Sequence, residues 1–258
     1  MPVLDWLHAL WLVTILAGAL TVARLYRLGL HRVYRFFFWY LALRTLRSGV
    51  LLFLRSWPAA YGWAWVLTQP LVWVLYVLIV LELYSLAFKD FRGIYTVSRR
   101  LMAGALGLAV CISALSFLAT RANPVERYPV ILYYTLIERG IDLSLVVFLF
   151  ILAGFLVWYP VPLSRNALAH TMVYCVFFLS DTAALLIRNV LGTQVNRSVN
   201  TGILAISSLC VLLWLFLFTR EGETRKAALR HRVPPEEALR LIEQLRELNT
   251  SLSRSARQ

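Results

Sequence analysis

Charged residues are scarce in this chain, at 15% of 258 residues, whereas hydrophobic residues make up 60%. Soluble domains carry roughly a quarter charged residues, so this chain has too little polar surface to cover itself in water. Apolar runs of about 20 residues, the length that crosses a bilayer, recur along most of the sequence. The shortage of charge therefore predicts an integral membrane protein.

Cysteine, histidine and lysine are also rare, with three, four and two residues respectively. The cysteines lie inside apolar runs without CxxC spacing and the histidines are scattered, so no disulfide framework or metal site is predicted. The motifs HExxH and GxSxG of hydrolases are absent. The last apolar run has no lysine, which excludes a retinal Schiff base. We therefore predict a protein that is not an enzyme and has no cofactor or metal.

The net charge of +13 comes from 26 basic and 13 acidic residues. A net positive charge of this size also occurs in proteins that bind nucleic acid. Here, however, the positive charges lie at the ends of apolar segments and after Thr219. Such charge is typical of the cytoplasmic side of membrane proteins, where it faces anionic lipid. We predict contact with the bilayer and its anionic lipids, and none with nucleic acid.

Hydropathy predicts an all-α, seven-helix bundle in residues 1–220, with spans at about 6–23, 36–55, 63–87, 101–120, 130–158, 168–190 and 200–219. The first span follows the acidic MPVLD without a basic leader, so we expect it to be retained. Basic residues concentrate after spans one and three and after Thr219, and the opposite loops hold few. The positive-inside rule then predicts an outside N-terminus and a cytoplasmic C-terminus.

Residues 221–258 form a predicted tail. A basic segment is followed by Pro234-Pro235 and by EEALRLIEQLRELNTSLSR, which reads as a short amphipathic helix opened by acidic residues. Its apolar residues follow the a/d spacing of a coiled coil: Ala238, Leu241, Leu245, Leu248 and Leu252. The tail is interpreted as a site of self-association or of binding to a cytoplasmic partner, or as a helix that lies on its own bundle or on the inner leaflet.

Charged residues inside the spans are the main functional signal. By the rise of 1.5 Å per residue, Arg44 and Arg47 lie roughly 12 and 16 Å from the inner face of a hydrocarbon core about 30 Å thick. The same arithmetic places the carboxylates of spans five and six roughly 12 to 20 Å from that face. An unpaired charge at this depth costs about 2.5 kcal/mol or more. Spans two, five and six are therefore predicted to share a neutralising network: Arg44, Arg47, Glu138, Arg139, Asp142 and Asp181.

The purpose of this network has two interpretations. It is either a buried ionic clasp that fixes helix register, or the lining of a polar cavity, ligand pocket or charge-relay path. In span three, Gln69 and Pro70 place a polar group beside a helix-kinking residue, which makes them a candidate site for a cavity.

The aromatic run FFFWY at 36–40, Arg44 and Arg47, and LIERGIDL at 136–143 resemble an uncharacterised family of bacterial seven-span proteins. This resemblance implies the bacterial inner membrane and brings no established function. The span count and helical tail are similar to the seven-helix input modules of bacterial signalling proteins. That likeness implies a receptor whose output passes through the tail or a separate partner.

Three functions fit the sequence. The first is a receptor-like or scaffold protein whose tail assembles with itself or a partner. The second is a channel or transporter whose permeation path is lined by the charge network, although no inverted repeat is evident. The third is a structural subunit of a larger membrane complex. We favour the first.

Overall fold

The computed structural model describes residues 2–87, 163–191, 195–224 and 226–227, with separate positions at 104, 137–154 in part, and 243–250 in part. Nearly all of the described residues are helical. The helices are α1 (Pro2–Arg27), α2 (Arg35–Phe53), α3 (Pro58–Ala87), α4 (Arg165–Leu191), α5 (Asn196–Leu217) and α6 (Arg220–Thr224). Two short strands, β1 (Leu163–Ser164) and β2 (Lys226–Ala227), pair with each other.

The five long helices α1 to α5 each contain a stretch that is long and apolar enough to cross a membrane. They coincide with predicted spans one, two, three, six and seven. This confirms the prediction of a helical, membrane-embedded protein. Most of spans four and five lies outside the described residues, although position 104 and the described positions between 137 and 154 are helical. The count of seven and the orientation stay predictions.

The chain turns from α1 into α2 at Gly29, which has a φ of 73°. Only glycine adopts this left-handed conformation without steric cost, and it commonly ends helices. A 3-10 turn at Leu30–Arg32 follows before α2 begins. The reversal is tight enough for α1 and α2 to pack side by side. It also sets the start of α2, whose polar side chains are described below.

Helix α1 packs against both α2 and α5, and α5 packs against α4. Small and polar residues mark the α1 contacts. Gly18 lies against the side chain of Thr45 in α2, and Thr14 shares a hydrogen bond with Ser208 in α5. Small residues allow helix backbones to approach closely in lipid, where apolar surface alone does not drive association. Large apolar residues such as Leu16, Leu67 and Phe216 are exposed, as expected for faces in contact with lipid.

The chain divides into two compact units. The first consists of Met1–Glu82 and Ser164–Lys226, and the second of Leu83–Leu163 and Ala227–Gln258. In the second unit, the ring centroids of Tyr84 and Phe148 are 5.6 Å apart. The residues that line the cavity described next all belong to the first unit.

Candidate functional site

A cavity of about 150 Å³ lies among helices α2, α3, α4 and α5. Its lining combines three ionisable side chains, three hydroxyls and three apolar side chains: Arg44, Arg47, Asp181, Tyr40, Tyr76, Ser207, Val72, Phe177 and Ile203. One water molecule needs roughly 10 to 15 Å³ of such space, so the cavity has room for several. Its volume and polar lining favour the interpretation of the charges as a binding site.

The Arg44 side chain contacts two hydroxyl groups and two aromatic rings in this lining. Its Nη1 donates a hydrogen bond to the hydroxyl of Tyr40 at 3.1 Å, one helical turn back on α2, and its Nη2 donates to Oγ of Ser207 on α5. The guanidinium carbon lies 5.4 Å from the ring centroid of Phe177 and 5.9 Å from that of Tyr40. Two hydroxyls and two rings thus fix a group that has five N–H donors.

Arg47 and Asp181 supply the other charges of the cavity. The guanidinium carbon of Arg47 lies 5.8 Å from the ring centroid of Trp65 on α3. Asp181 enters from α4, and its carboxylate interacts electrostatically with Arg44. All three ionisable side chains are half-buried, so each keeps part of its surface accessible. Among the described residues of the lining, two arginines and one aspartate carry the charge.

The structure brings three of the six predicted network residues to one cavity: Arg44, Arg47 and Asp181. The other three, Glu138, Arg139 and Asp142, lie outside the described residues, so their pairing stays a prediction.

The remaining predicted sites lie elsewhere. Gln69 is buried and Pro70 is exposed within a helix α3 that continues past it, and the residues of α3 that line the cavity are Val72 and Tyr76. In the tail, Glu243, Gln244, Glu247 and Thr250 are helical and exposed. The apolar residues of the tail lie outside the described residues: Ala238, Leu241, Leu245, Leu248 and Leu252.

Sequence reasoning missed the hydroxyls of the cavity. Tyr40 stands four residues before Arg44, a spacing that places two side chains on one helix face, and this signal could have found it. Ser207 is a polar residue in an apolar span and is buried beside the cavity. Tyr76 and Phe177 had no distinguishing signal, because aromatic residues occur throughout the spans.

Glu82 of α3 supplies hydrogen-bond acceptors to the first residues of α2. Its two carboxylate oxygens accept hydrogen bonds from the backbone N–H groups of Phe36 at 3.1 Å and Phe37 at 3.3 Å. Tyr34, the residue that precedes α2, gives no side-chain cap of its own. The first N–H groups of a helix lack partners within it, and they attract negative charge. Glu82 therefore fixes the beginning of the helix that carries both cavity arginines.

A second polar group, here called the Glu223 cluster, consists of Tyr34, Ser164, Asn166, Thr219 and Glu223. The Glu223 carboxylate accepts hydrogen bonds from the Tyr34 hydroxyl at 2.8 Å, and from Ser164 Oγ and Asn166 Nδ2 at 3.3 Å each. Asn166 also donates to the carbonyl of Thr219 at 2.7 Å. Burial and the negative charge of Glu223 raise the pKa of Tyr34 well above its ordinary value. The cluster ties α6 to the starts of α2 and α4.

Aromatic rings lie between the cavity and the Glu223 cluster. His170 of α4 is fully buried, and its ring centroid lies 4.3 Å from that of Phe37 and 5.4 Å from that of Tyr34. Within the described part of the chain, neither of its ring nitrogens has a hydrogen-bond partner. The ring of Trp214 lies edge-on to that of Phe37 and tilted to that of Phe177, with centroids 4.8 and 6.4 Å apart respectively. Ring contacts therefore run from cavity to cluster.

Among the described residues, no three His, Cys, Asp or Glu side chains are grouped as a metal site would require. Comparison with protein-family models, with curated proteins and with solved structures finds no match for this chain. Its function is therefore inferred from the geometry of the cavity.

Proposed function

We propose that this chain is a receptor-like, seven-span protein of the bacterial inner membrane, with its N-terminus outside. A small ligand binds in the cavity among α2, α3, α4 and α5, and residues 221–258 provide a cytoplasmic tail for self-association or for a partner. The observation that carries the proposal is the cavity itself, which is lined by Arg44, Arg47 and Asp181 and has room for more than one water molecule.

The energetics support a role beyond packing. Charged side chains inside a membrane are costly, and they commonly mark ligand, ion or proton sites. Here the three charged side chains line one cavity. The partners that hold Arg44 most directly are neutral hydroxyls, which leave its charge available to a bound anion.

The path from cavity to tail supports a receptor in particular. Phe177 lines the cavity and contacts Trp214, which contacts Phe37. The ring of Phe37 contacts that of His170, which contacts the ring of Tyr34. The Tyr34 hydroxyl in turn donates a hydrogen bond to Glu223 in α6, at the start of the tail. A ligand that moves Phe177 therefore has a continuous route of side-chain contacts to the first residues of the tail.

A screen of full-length protein in lipid nanodiscs tests this proposal. Melting temperatures are measured with small anions, cations, zwitterions and neutral molecules, for the wild type and for Arg44→Gln. We expect at least one class to stabilise the wild type by binding the folded state, and Arg44→Gln to lose that effect. If no compound of any class shifts the wild type, the receptor proposal is wrong and a structural subunit is favoured.

Transport is the second candidate, because charges of both signs line the same accessible cavity. Flux of the stabilising compound into proteoliposomes decides between the two. A receptor gives no flux above that of empty vesicles. Flux that falls in Glu138→Gln and Asp181→Asn would replace the receptor with a transporter.

The tail has its own test. Leu245→Glu places a charge on the predicted apolar seam, whereas Gln244→Glu changes an exposed neighbour. If the tail self-associates, Leu245→Glu shifts the mass of the purified protein to that of a monomer, as measured by light scattering, and Gln244→Glu does not. An unchanged mass in both variants contradicts self-association through this helix.

A further inference from the structure

We infer that the turn between α1 and α2 binds the headgroup of one anionic phospholipid, whose acyl chains lie along the exposed apolar faces of the two helices. Three exposed arginines form this site, here called the α1–α2 corner: Arg27, Arg32 and Arg35. The corner shares no residue with the cavity, so lipid binding here is independent of the proposed receptor function.

The turn brings the three arginines to one end of the helix pair. Helix α1 ends at Arg27 and α2 begins at Arg35, with the 3-10 turn between them. The ring centroid of His31 lies 5.0 Å from that of Tyr26 on α1 and 5.8 Å from that of Phe38 on α2. These ring contacts hold the reversal closed from both sides, so the last turn of α1 and the first turn of α2 reach the same membrane surface.

An exposed apolar face of α1 leads to this corner. Its residues follow each other at a spacing of three or four, which places side chains on one helix face. Leu16 and Leu20 are 63% and 58% exposed. In a membrane such a face lies against acyl chains, and an arginine at its end extends to the headgroups. The exposed residues of this face are Val13, Leu16, Leu20, Ala23 and Arg27.

Helix α2 has a similar exposed face that starts at the corner. It runs through Arg35, Trp39, Leu46, Val50 and Phe53. Next to the arginines, Trp39 is 59% and Tyr26 of α1 is 65% exposed. Exposed tryptophan and tyrosine are typical of the level of the headgroups. Apolar, aromatic and cationic surface thus follow each other in the order of the acyl chains, the interface and the phosphate of a phospholipid.

The charge of the corner selects an anionic headgroup. A guanidinium binds a phosphate through paired, charge-assisted hydrogen bonds. A zwitterionic headgroup carries a cation beside its phosphate, which the same arginines repel, whereas the headgroup of phosphatidylglycerol carries none. Arg35 also interacts electrostatically with the Glu82 carboxylate. Arg27 and Arg32 are therefore the arginines to replace.

The other end of α2 provides the matched control. There Arg55 is exposed beside two exposed aromatic residues, Phe53 and Trp57. The turn that follows α2, Leu54–Ser56, contains this single arginine. Arg55→Gln therefore removes an exposed positive charge near aromatic residues on the same helix and leaves the α1–α2 corner intact.

The test is titration of the full-length protein in detergent micelles with phosphatidylglycerol and with phosphatidylcholine of the same acyl chains. Native mass spectrometry counts the lipids that stay bound. We expect the first phosphatidylglycerol to bind more tightly than phosphatidylcholine. Arg27→Gln and Arg32→Gln should each weaken its binding by about fivefold, because each removes one arginine from the membrane surface. Arg55→Gln should leave it unchanged.

Two results would overturn the site: equal affinity of the wild type for both lipids, or a loss in Arg27→Gln and Arg32→Gln no larger than in Arg55→Gln. Arg27→Lys and Arg32→Lys keep the charge and should retain most of the affinity. If they lose as much as the glutamine variants, positive charge at the corner does not bind the lipid. Glycerol 3-phosphate at the same concentration should not displace the lipid. Displacement would show that the corner binds a free phosphate, not a phospholipid.

Discussion

At the scale of single residues, Glu82 shows how one carboxylate prepares the site from a distance. It lies outside the cavity, yet it accepts the N–H groups at the start of α2, the helix that carries Arg44 and Arg47. Its partners are 45 and 46 residues away in sequence, so no local pattern indicates the contact. Only the packing of α3 beside the start of α2 creates it.

Replacing Glu82 should therefore weaken the fold. Glu82→Gln keeps one acceptor oxygen and removes the charge that favours the helix start. We expect a loss of about 1 kcal/mol in the free energy of unfolding, as for a helix cap. Thermal melting in nanodiscs measures it, with the exposed Glu221→Gln as control. Equal melting temperatures for the two variants would show that the cap contributes nothing.

Tyr34 provides a prediction about pH. Because its pKa is raised by burial and by Glu223, the folded protein holds the phenol proton more tightly than the unfolded chain does. This contribution to stability is complete below the ordinary tyrosine pKa of about 10, and it is lost as the pH rises above that value.

Tyr34→Phe tests both the hydrogen bond and its titration. At neutral pH it removes the donor to Glu223 and should cost about 1 kcal/mol of unfolding free energy. Above about pH 10 the wild type should lose stability faster than the variant, so the two melting curves converge. If the melting temperatures of both proteins fall in parallel from pH 9 to 11, the phenol proton of Tyr34 does not contribute to stability as predicted.

At the scale of helices, hydropathy predicts where α1 to α5 lie but not which faces meet. Crossing a bilayer requires about 20 apolar residues, and this requirement is visible in sequence. The rotation of each helix about its own axis is set by packing. Because apolar residues occur on every face of these helices, the sequence does not show which face is buried. The depth in the membrane, obtained from the rise per residue, could therefore group Arg44 with Asp181. The sequence could not distinguish Tyr76 and Phe177, which line the cavity, from aromatic residues that face lipid.

Gly18 and Gly49 form a matched pair for testing the close contact between α1 and α2. A Cβ on Gly18 would collide with the hydroxyl of Thr45, whereas a Cβ on Gly49 in α2 meets nothing within 4 Å. Gly18→Ala should lower the melting temperature by crowding the helices. Gly49→Ala should hold or raise it, because alanine favours the helix by up to about 1 kcal/mol. A higher melting temperature for Gly18→Ala than for Gly49→Ala would contradict this close approach.

At the scale of the whole molecule, the proposed function requires that the charged groups surround a wet cavity. A network of ion pairs without water would also offset the free-energy cost of burying the charges, and it would be equally compatible with a structural subunit. The receptor proposal and the transport alternative both need solvent to reach the space beside Arg44. Adjacent serines on α5 allow this to be measured, because Ser207 lines the cavity and Ser208 bonds to Thr14 of α1.

The most direct measurement is therefore the reaction rate of a cysteine at each serine with a small, anionic, water-soluble thiol reagent. Ser207→Cys and Ser208→Cys are compared in a background with Cys111, Cys175 and Cys210 replaced by alanine, in native membranes. We predict fast labelling of Ser207→Cys, because Arg44 stabilises its thiolate and attracts the reagent, and slow labelling of Ser208→Cys. Equally slow labelling at both positions would show that no water-filled site exists beside Arg44.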